Sequence, residues 1–135
     1  MATLSGQKIL VGVTGGIAAY KAAELVRELR ARDADVRVVM TSGAQEFVTA
    51  LTFQALTGQP VYRELFDLEE ESAMGHITLA RWPDQIVIAP ASANFMARLA
   101  QGMADDLLST LCLASRAPIT LAPAMNQVMW LNAAT

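Results

Sequence analysis

Short apolar runs without a helical period alternate along the chain with stretches in which apolar residues recur every three or four positions. The apolar runs predict buried strands, and the periodic stretches predict amphipathic helices. The predicted strands cover residues 8–14, 35–40, 85–89 and 118–121, and the predicted helices cover residues 17–30, 42–56, 93–101 and 105–115, with another starting near Ala124. This alternation predicts an α/β fold with a three-layer, doubly wound parallel sheet, Rossmann-like or flavodoxin-like.

The clearest of these strands, QIVIA at residues 85–89, has apolar residues in succession, as do strands that helices cover on both faces. We expect Pro90 to end it, and we expect residues 61–72 to be irregular, with the acidic run 67–71 facing solvent. Ligands of such sheets bind beyond the carboxyl ends of the strands. The segments in which chemistry is expected are therefore residues 14–16, 41–43, 90–94 and 123–126.

A glycine-rich turn follows the first predicted strand, in GVTGGIAAYK. Small residues between a strand and a helix N-terminus favour an anion such as phosphate, because backbone N–H groups and the helix dipole meet there. A tight turn that needs glycine for its backbone conformation explains Gly15 and Gly16 equally well. The segment is neither GxGxxG nor a Walker loop, which would need GKS or GKT.

Hydroxyl side chains stand at the next two strand ends, on Thr41, Ser42 and Ser92. They could complete a phosphate cradle or simply cap the helices that follow. Because three successive strand ends offer donors and small residues on one edge of the sheet, a nucleotide-like ligand is the leading prediction.

Two polar residues are candidates for catalysis. His76 is the only histidine in the sequence, and it could act catalytically or make a structural hydrogen bond. Asn126, at the last predicted strand end, could bind a carboxylate or amide of a substrate, or cap a helix. Met125, Met129 and Trp130 are typical of a core or an interface, and less often of a pocket wall.

The composition narrows the possible partners. The 135 residues are 53% hydrophobic and 17% charged, which indicates one domain with more apolar surface than it can bury, so we expect self-association. A net charge of −3 without a basic stripe argues against nucleic acid, and no apolar run reaches the ~18 residues of a membrane span. With no secretion signal, we expect a reducing, cytoplasmic location.

The single cysteine, Cys112, is expected to be buried and inert, and one histidine with one cysteine cannot supply zinc's usual ligands.

Six short motifs occur in a fixed order along the chain. They are GVTGGIAAYK at residues 12–21, MT at 40–41 followed by Phe47, GHI at 75–77, PASAN at 90–94, GMADDLLST at 102–110 and PAMNQVMW at 123–130. In this order they resemble the flavin-dependent cysteine decarboxylases, from Lys8 to the end of the chain. PAMNQVMW is similar to the phosphopantothenoylcysteine decarboxylase branch of that family. The opening MATLSGQKILVGVTGGIAAYK is similar to its bacterial bifunctional form, in which a phosphopantothenate-cysteine ligase domain follows.

The resemblance implies FMN held between neighbouring subunits, in trimers of which four assemble into a dodecamer. The implied cofactor-binding residues are Gly15, Gly16, Thr41, Ser42, Phe47, Ser92, Ala93, Asn94 and Phe95. His76 carries over as the active-site base or orienting group. Asn126 carries over as the residue that grips the substrate carboxylate, with Met125 and Met129 also on the substrate side.

The implied reaction is the decarboxylation of 4′-phosphopantothenoylcysteine to 4′-phosphopantetheine in coenzyme A biosynthesis. The substrate's cysteine side chain is oxidised to a thioaldehyde, CO2 leaves, and the resulting enethiolate is reduced. One alternative is a non-catalytic FMN-binding regulatory protein of the same fold, against which His76 and Asn126 argue. Another is a flavin-dependent decarboxylase of a different cysteine-containing substrate, against which PAMNQVMW argues.

The chain departs from the family pattern at two places. The family often has an asparagine in the pair that is Asp105-Asp106 here, which affects the hydrogen bonding at that helix start. The sequence also stops at Thr135, whereas the family domain continues into a substrate-covering flap with a catalytic cysteine. We therefore expect residues 1–135 to be a flavoprotein decarboxylase domain that is incomplete at its C-terminus and lacks the flap and the ligase domain. We expect such a chain to bind FMN without completing turnover.

Overall fold

The computed structural model describes residues 3–65 and 75–135. The strands in this part are β1 (Lys8–Val13), β2 (Asp35–Met40), β3 (Val61–Tyr62), β4 (Gln85–Ala91) and β5 (Ile119–Pro123). The helices are α1 (Ala19–Ala31), α2 (Ala50–Thr57), α3 (His76–Arg81), α4 (Ala93–Gln101), α5 (Leu107–Ala114) and α6 (Gln127–Leu131), and a 3₁₀ turn spans Ala44–Glu46. Helices thus alternate with strands, as the hydrophobic pattern predicts.

The five strands form one parallel sheet in the order β3-β2-β1-β4-β5. β1 pairs with β2 along its whole length, from Lys8 opposite Asp35 to Val13 opposite Met40. From β1 the chain winds outward through β2 to β3, then returns to β4 on the other side of β1 and continues to β5. The predicted doubly wound parallel sheet is confirmed. Its strand order is the Rossmann one, which puts the topological switch point between β1 and β4.

An apolar layer covers each face of the sheet. Successive residues of β1 point to opposite faces, so Val11 joins the cluster that contains the buried residues of α1, whereas Leu10 joins the cluster that contains those of α5. Gly12 lies where β1 and α5 come closest, since a Cβ there would lie 2.7 Å from Leu108 Cδ1. The missing side chain of Gly12 therefore lets α5 pack directly on the central strand.

The structure corrects the local predictions between the second and third predicted strands. The helix predicted over residues 42–56 is interrupted, because Thr49 adopts an extended conformation as the N-cap of α2 after the 3₁₀ turn. Residues 61–62 are not irregular but form β3, which pairs with the edge of β2 at Val38 and Val39. The short helix α3 was not predicted. The acidic run 67–71 lies outside the described residues.

Pro90 lies inside β4 rather than ending it. The pairing of β4 with β5 shifts register between Ile88 and Ala91, so the missing N–H of Pro90 falls where the regular ladder is already interrupted. The last helix begins at Gln127 rather than near Ala124. No helix in residues 3–65 and 75–135 is long and apolar enough to cross a membrane.

Candidate functional site

A cleft of about 990 Å³ opens beyond the carboxyl ends of β1, β2, β4 and β5. Its walls consist of residues 14–18, 41–43, 92–95 and 124–126, together with Arg98, Asp105, Asp106 and Met129. The size lies in the range of small-molecule sites, roughly 300–1,000 Å³. Four strand-end segments thus converge on one cavity, at the sheet edge where the topology predicts ligand binding.

The turns after β1 and β2 touch at two glycines. A Cβ on Gly15 would lie 3.0 Å from the carbonyl carbon of Gly43, whereas a Cβ on Gly16 would meet no atom of the described residues within 4 Å. Neither Gly15 nor Gly16 has a positive φ, so their backbone conformation does not require glycine. Gly15 is needed for the close approach of the two turns, and Gly16 leaves open space at the cleft that a ligand group can enter.

The N-termini of two helices, α1 and α4, border the cleft. The dipole of a helix favours an anion at its N-terminus, as do first-turn N–H groups that have no acceptor. In α1, the Ala19 N–H already donates to the Gly16 carbonyl at 2.9 Å and the Lys21 N–H to the Ala18 carbonyl at 2.9 Å. Ser92 caps α4, its Oγ accepting the Phe95 N–H at 3.1 Å, and Thr41 Oγ1 accepts the Ala44 N–H at 3.2 Å. Each hydroxyl still has a hydrogen to donate, so capping and ligand binding are compatible rather than exclusive.

Within the described residues, three charged side chains line the cleft, and none of them was a site candidate from the sequence. Arg98 of α4 forms an ion pair with Asp105, and the hydrogen bond from Arg98 lowers the pKa of Asp105 below its usual value. Asp106 is the N-cap of α5, its Oδ1 accepting the Ser109 N–H at 2.8 Å. The spacing of Asp106 and Ser109 could have indicated that cap. The Arg98 pair depends on how the chain turns between α4 and α5, which local sequence does not reveal.

Most of the sequence-predicted site residues meet at this cleft. They are Gly15, Gly16, Thr41, Ser42, Ser92, Ala93, Asn94, Phe95, Met125, Asn126 and Met129. The cleft also includes Thr14, Gly43 and Ala124, which lie in the predicted strand-end segments without having been named as site residues. Ile17 and Ala18, which follow the first segment, were not predicted.

His76 and Phe47 are not among the described residues that line the cleft. His76 is the first residue of α3 and is half-buried. Phe47 follows the 3₁₀ turn, with 53% of its surface exposed. Phe47, expected near the flavin, and His76, expected as the active-site base or orienting group, therefore lie apart from the other predicted site residues within one copy.

Asn126 caps α6 through its side-chain oxygen, which accepts the Met129 N–H at 2.9 Å. Its Nδ2 group has no acceptor among the described residues and retains two hydrogens to donate. Capping, one of the two sequence interpretations, is thus observed. The cap leaves the Nδ2 hydrogens of Asn126 available for hydrogen bonds to a carboxylate.

Cys112 lies in α5, within the apolar cluster that covers one face of the sheet. Burial raises the pKa of its thiol to about 11. A thiol that stays protonated at neutral pH is a poor nucleophile, in agreement with the interpretation of Cys112 as inert.

Comparison with known proteins gives a family and several close relatives. The family model described as Flavoprotein matches residues 2–135. The chain is 63% identical over 127 residues to the coenzyme A biosynthesis bifunctional protein CoaBC of Haemophilus influenzae, covering 94% of this chain and 32% of that protein. It is 56% identical over 133 residues to the CoaBC of Escherichia coli, covering 98% of this chain and 33% of that protein. The chain thus spans about a third of the length of the curated relatives that it matches.

Solved structures of similar fold include the FMN-dependent cysteine decarboxylase SpaF, with a TM-score of 0.88 and 34% identity, covering 98% of this chain and 76% of that chain. A cysteine-to-serine mutant of PPC decarboxylase in complex with pantothenoylaminoethenethiol matches with a TM-score of 0.74 and 33% identity, covering 93% of this chain and 71% of that chain. The FMN binding protein AtHal3 matches with a TM-score of 0.77 and 34% identity, covering 93% of this chain and 70% of that chain.

Proposed function

This chain belongs to the Flavoprotein family, and from that premise we propose that it is the FMN-binding part of an enzyme of coenzyme A biosynthesis. The proposed reaction is the decarboxylation of 4′-phosphopantothenoylcysteine to 4′-phosphopantetheine. The observation that carries the proposal is the convergence of four strand ends on one cleft. Similarity to the CoaBC proteins and to PPC decarboxylase supports this substrate rather than another cysteine-containing one.

The chemistry of the cleft fits FMN, which has a phosphate at one end and a flat ring system at the other. The N-termini of α1 and α4 and the open space at Gly16 suit the phosphate. Ile17, Met125 and Met129 give the cleft apolar surface, which suits the ring and the aliphatic part of the substrate. We assign to the cofactor Gly15, Gly16, Thr41, Ser42, Ser92, Ala93, Asn94 and Phe95.

Bound FMN would supply the electron sink that allows the carboxylate to leave as CO2. The chain's own residues then have to hold the substrate carboxylate and to handle protons. Asn126 suits the first task, because its side-chain oxygen is engaged in the α6 cap and its Nδ2 hydrogens are left to donate. His76 suits the second task, because an imidazole can both accept and donate a proton.

We also propose that the site is shared between copies of this chain. His76, expected in the active site, and Phe47, expected near the flavin, are not among the described residues that line the cleft of their own chain. Helix α6 borders the cleft and exposes Val128, Trp130 and Leu131, an apolar surface that association would bury. The trimers and the dodecamer implied by the resemblance belong to this proposal, as does a cytoplasmic location.

The visible absorption spectrum across a gel-filtration peak tests the cofactor and the assembly together. We expect flavin absorbance that coelutes with an oligomer, and formation of 4′-phosphopantetheine when the whole natural protein is supplied with the substrate. A flavin-bound protein that releases no CO2 from this substrate would favour the non-catalytic alternative. If the full natural protein stays colourless when FMN is added, the proposal is contradicted.

A further inference from the structure

Thr14 occupies the topological switch point, one residue beyond the end of β1. Its side chain is almost completely buried, with 1% exposed. Its Oγ1 donates a hydrogen bond to the carbonyl of Pro90 and accepts the N–H of Ser92 at 2.9 Å. Its backbone N–H also reaches the Pro90 carbonyl, at 3.3 Å. One side chain therefore fastens the end of β1 to the end of β4.

The hydroxyl of Thr14 replaces a backbone partner that the sheet does not provide. The register of β4 against β5 shifts between Ile88 and Ala91, and Ser92 lies just past the end of the strand. The Ala91 carbonyl is taken by the Ala124 N–H at 3.1 Å. The Ser92 N–H, which would otherwise be left without an acceptor in a part-buried position, is taken by Thr14.

Ser92 in turn sets the start of α4. Its backbone is extended, with φ −74° and ψ 158°, and its Oγ accepts the Phe95 N–H at 3.1 Å. The first turn of α4 forms one wall of the cleft. The hydrogen bonds thus run without a break from Thr14 through Ser92 to the helix N-terminus that faces the ligand.

We propose that Thr14 is a positioning residue, which places Ser92 and the N-terminus of α4 for the bound flavin. This inference rests on the proposed function, because the ligand in question is FMN. The geometry requires a side chain that can donate to Pro90 and accept from Ser92 at the same time, which a hydroxyl does. Serine keeps that hydroxyl, and valine keeps the shape of threonine without it.

The test is the matched pair Thr14→Val and Thr14→Ser in the full natural chain, titrated with FMN and followed by flavin fluorescence. We expect Thr14→Val to raise the Kd for FMN on the order of tenfold, because an N–H of the α4 start loses its partner, and Thr14→Ser to stay near wild type. At saturating FMN, we also expect the visible circular dichroism of the flavin to change in Thr14→Val and to be restored in Thr14→Ser. A merely structural role would lower the thermal midpoint of the apoprotein and leave that spectrum unchanged.

A double-mutant cycle of Thr14→Val with Ser92→Ala tests whether Thr14 acts on FMN binding through Ser92. Ser92→Ala removes the Oγ that caps α4 and keeps the N–H that Thr14 accepts. If Thr14 acts through the Ser92 side chain, the double variant should bind FMN about as well as Ser92→Ala alone. Additive losses would show that Thr14 places the start of α4 through the Ser92 backbone, which Ser92→Ala retains. A Thr14→Val protein with wild-type Kd and flavin spectrum would overturn the inference while leaving the FMN proposal intact. A wild-type protein that binds no FMN would end both. Should Thr14→Val not fold, Thr14→Cys, whose thiol hydrogen-bonds weakly, takes its place under the same criteria.

Discussion

Gly15 and Gly43 lie backbone against backbone, so close that a Cβ on Gly15 would stand 3.0 Å from the Gly43 carbonyl carbon. The turn after β1 and the turn after β2 thereby form one continuous floor of the cleft. The next residue, Gly16, has no such neighbour among the described residues. Gly15 therefore serves the packing of the two turns, whereas Gly16 leaves space in the cleft, and substituting each glycine tests these roles separately.

We predict that Gly15→Ala destabilises the fold and that Gly16→Ala does not. The added methyl group of Gly15→Ala would press against the backbone of Gly43, which yields less easily than the end of a side chain, so the cost should be about 1–3 kcal/mol. Gly16→Ala should stay within about 0.5 kcal/mol of wild type in thermal unfolding of the apoprotein. It should nevertheless raise the Kd for FMN on the order of tenfold, because the methyl group enters the space assigned to the phosphate.

Each glycine variant serves as the control for the other. Loss of stability in Gly16→Ala would mean that a packing role has been overlooked. Unchanged FMN binding in Gly16→Ala would show that the phosphate does not lie against this residue.

The Arg98–Asp105 pair should be visible in a carboxyl titration. Because the hydrogen bond from Arg98 lowers the pKa of Asp105 in the folded state, the pair contributes stability above the ordinary aspartate pKa, and that contribution is lost as the pH falls through the lowered value. We predict that Arg98→Gln returns the pKa of Asp105 toward its ordinary value, as measured by NMR. Arg27→Gln is the control, since Arg27 pairs with Glu24 on α1 and should leave Asp105 unchanged. A titration of Asp105 that Arg98→Gln does not alter would refute the pairing.

The strand-end segments could be located from the sequence because each follows an apolar run that stops abruptly. Residues 14–16 follow such a run, and Asn126 comes after another. In a parallel sheet all carboxyl ends lie at one edge, so the meeting of these segments at one cleft follows from fold class alone. The strand-end residues of the cleft could therefore be predicted without knowledge of side-chain packing, whereas Arg98, Asp105 and Asp106 were not predicted.

The contacts between those segments could not be predicted in the same way. Thr14 meets Pro90 and Ser92 across 76 and 78 positions of the chain, and nothing local to Thr14 indicates those partners. The two-residue strand β3 exists only because β2 offers it an edge. The place of His76 depends on α3, which is anchored by burial of Leu79 and Ala80 rather than by a periodic pattern long enough to recognise.

Asn126→Asp should separate the capping role of the Asn126 side-chain oxygen from the role of its Nδ2 donors. The substitution keeps an oxygen to cap α6 but replaces the Nδ2 donors with a second oxygen and adds a negative charge. We predict that decarboxylation by the full natural protein falls on the order of 100-fold or more, because the substrate carboxylate is then repelled rather than held. The Kd for FMN and the thermal midpoint should change little.

Asn132→Asp is the matched control for Asn126→Asp. Asn132 accepts the Ala134 N–H at 2.9 Å through its side-chain oxygen, and it is exposed and outside the cleft. The same change of amide to carboxylate there should leave activity unaffected. If Asn126→Asp lost flavin and activity in parallel, its role would be in cofactor binding instead.

A site shared between copies predicts complementation between two inactive variants. In the full natural protein, His76→Asn and Asn126→Asp should each be inactive when expressed alone, while remaining folded and coloured with flavin. In randomly mixed oligomers, a site that takes His76 from one copy and Asn126 from another receives both natural residues in about a quarter of cases, which follows from the repeated interfaces of symmetric assemblies. Coexpression should therefore restore roughly that fraction of wild-type decarboxylation. If the mixture is as inactive as its parts although mass spectrometry shows mixed oligomers, His76 and Asn126 must act within one chain, and His76 would have to reach its own cleft by a rearrangement.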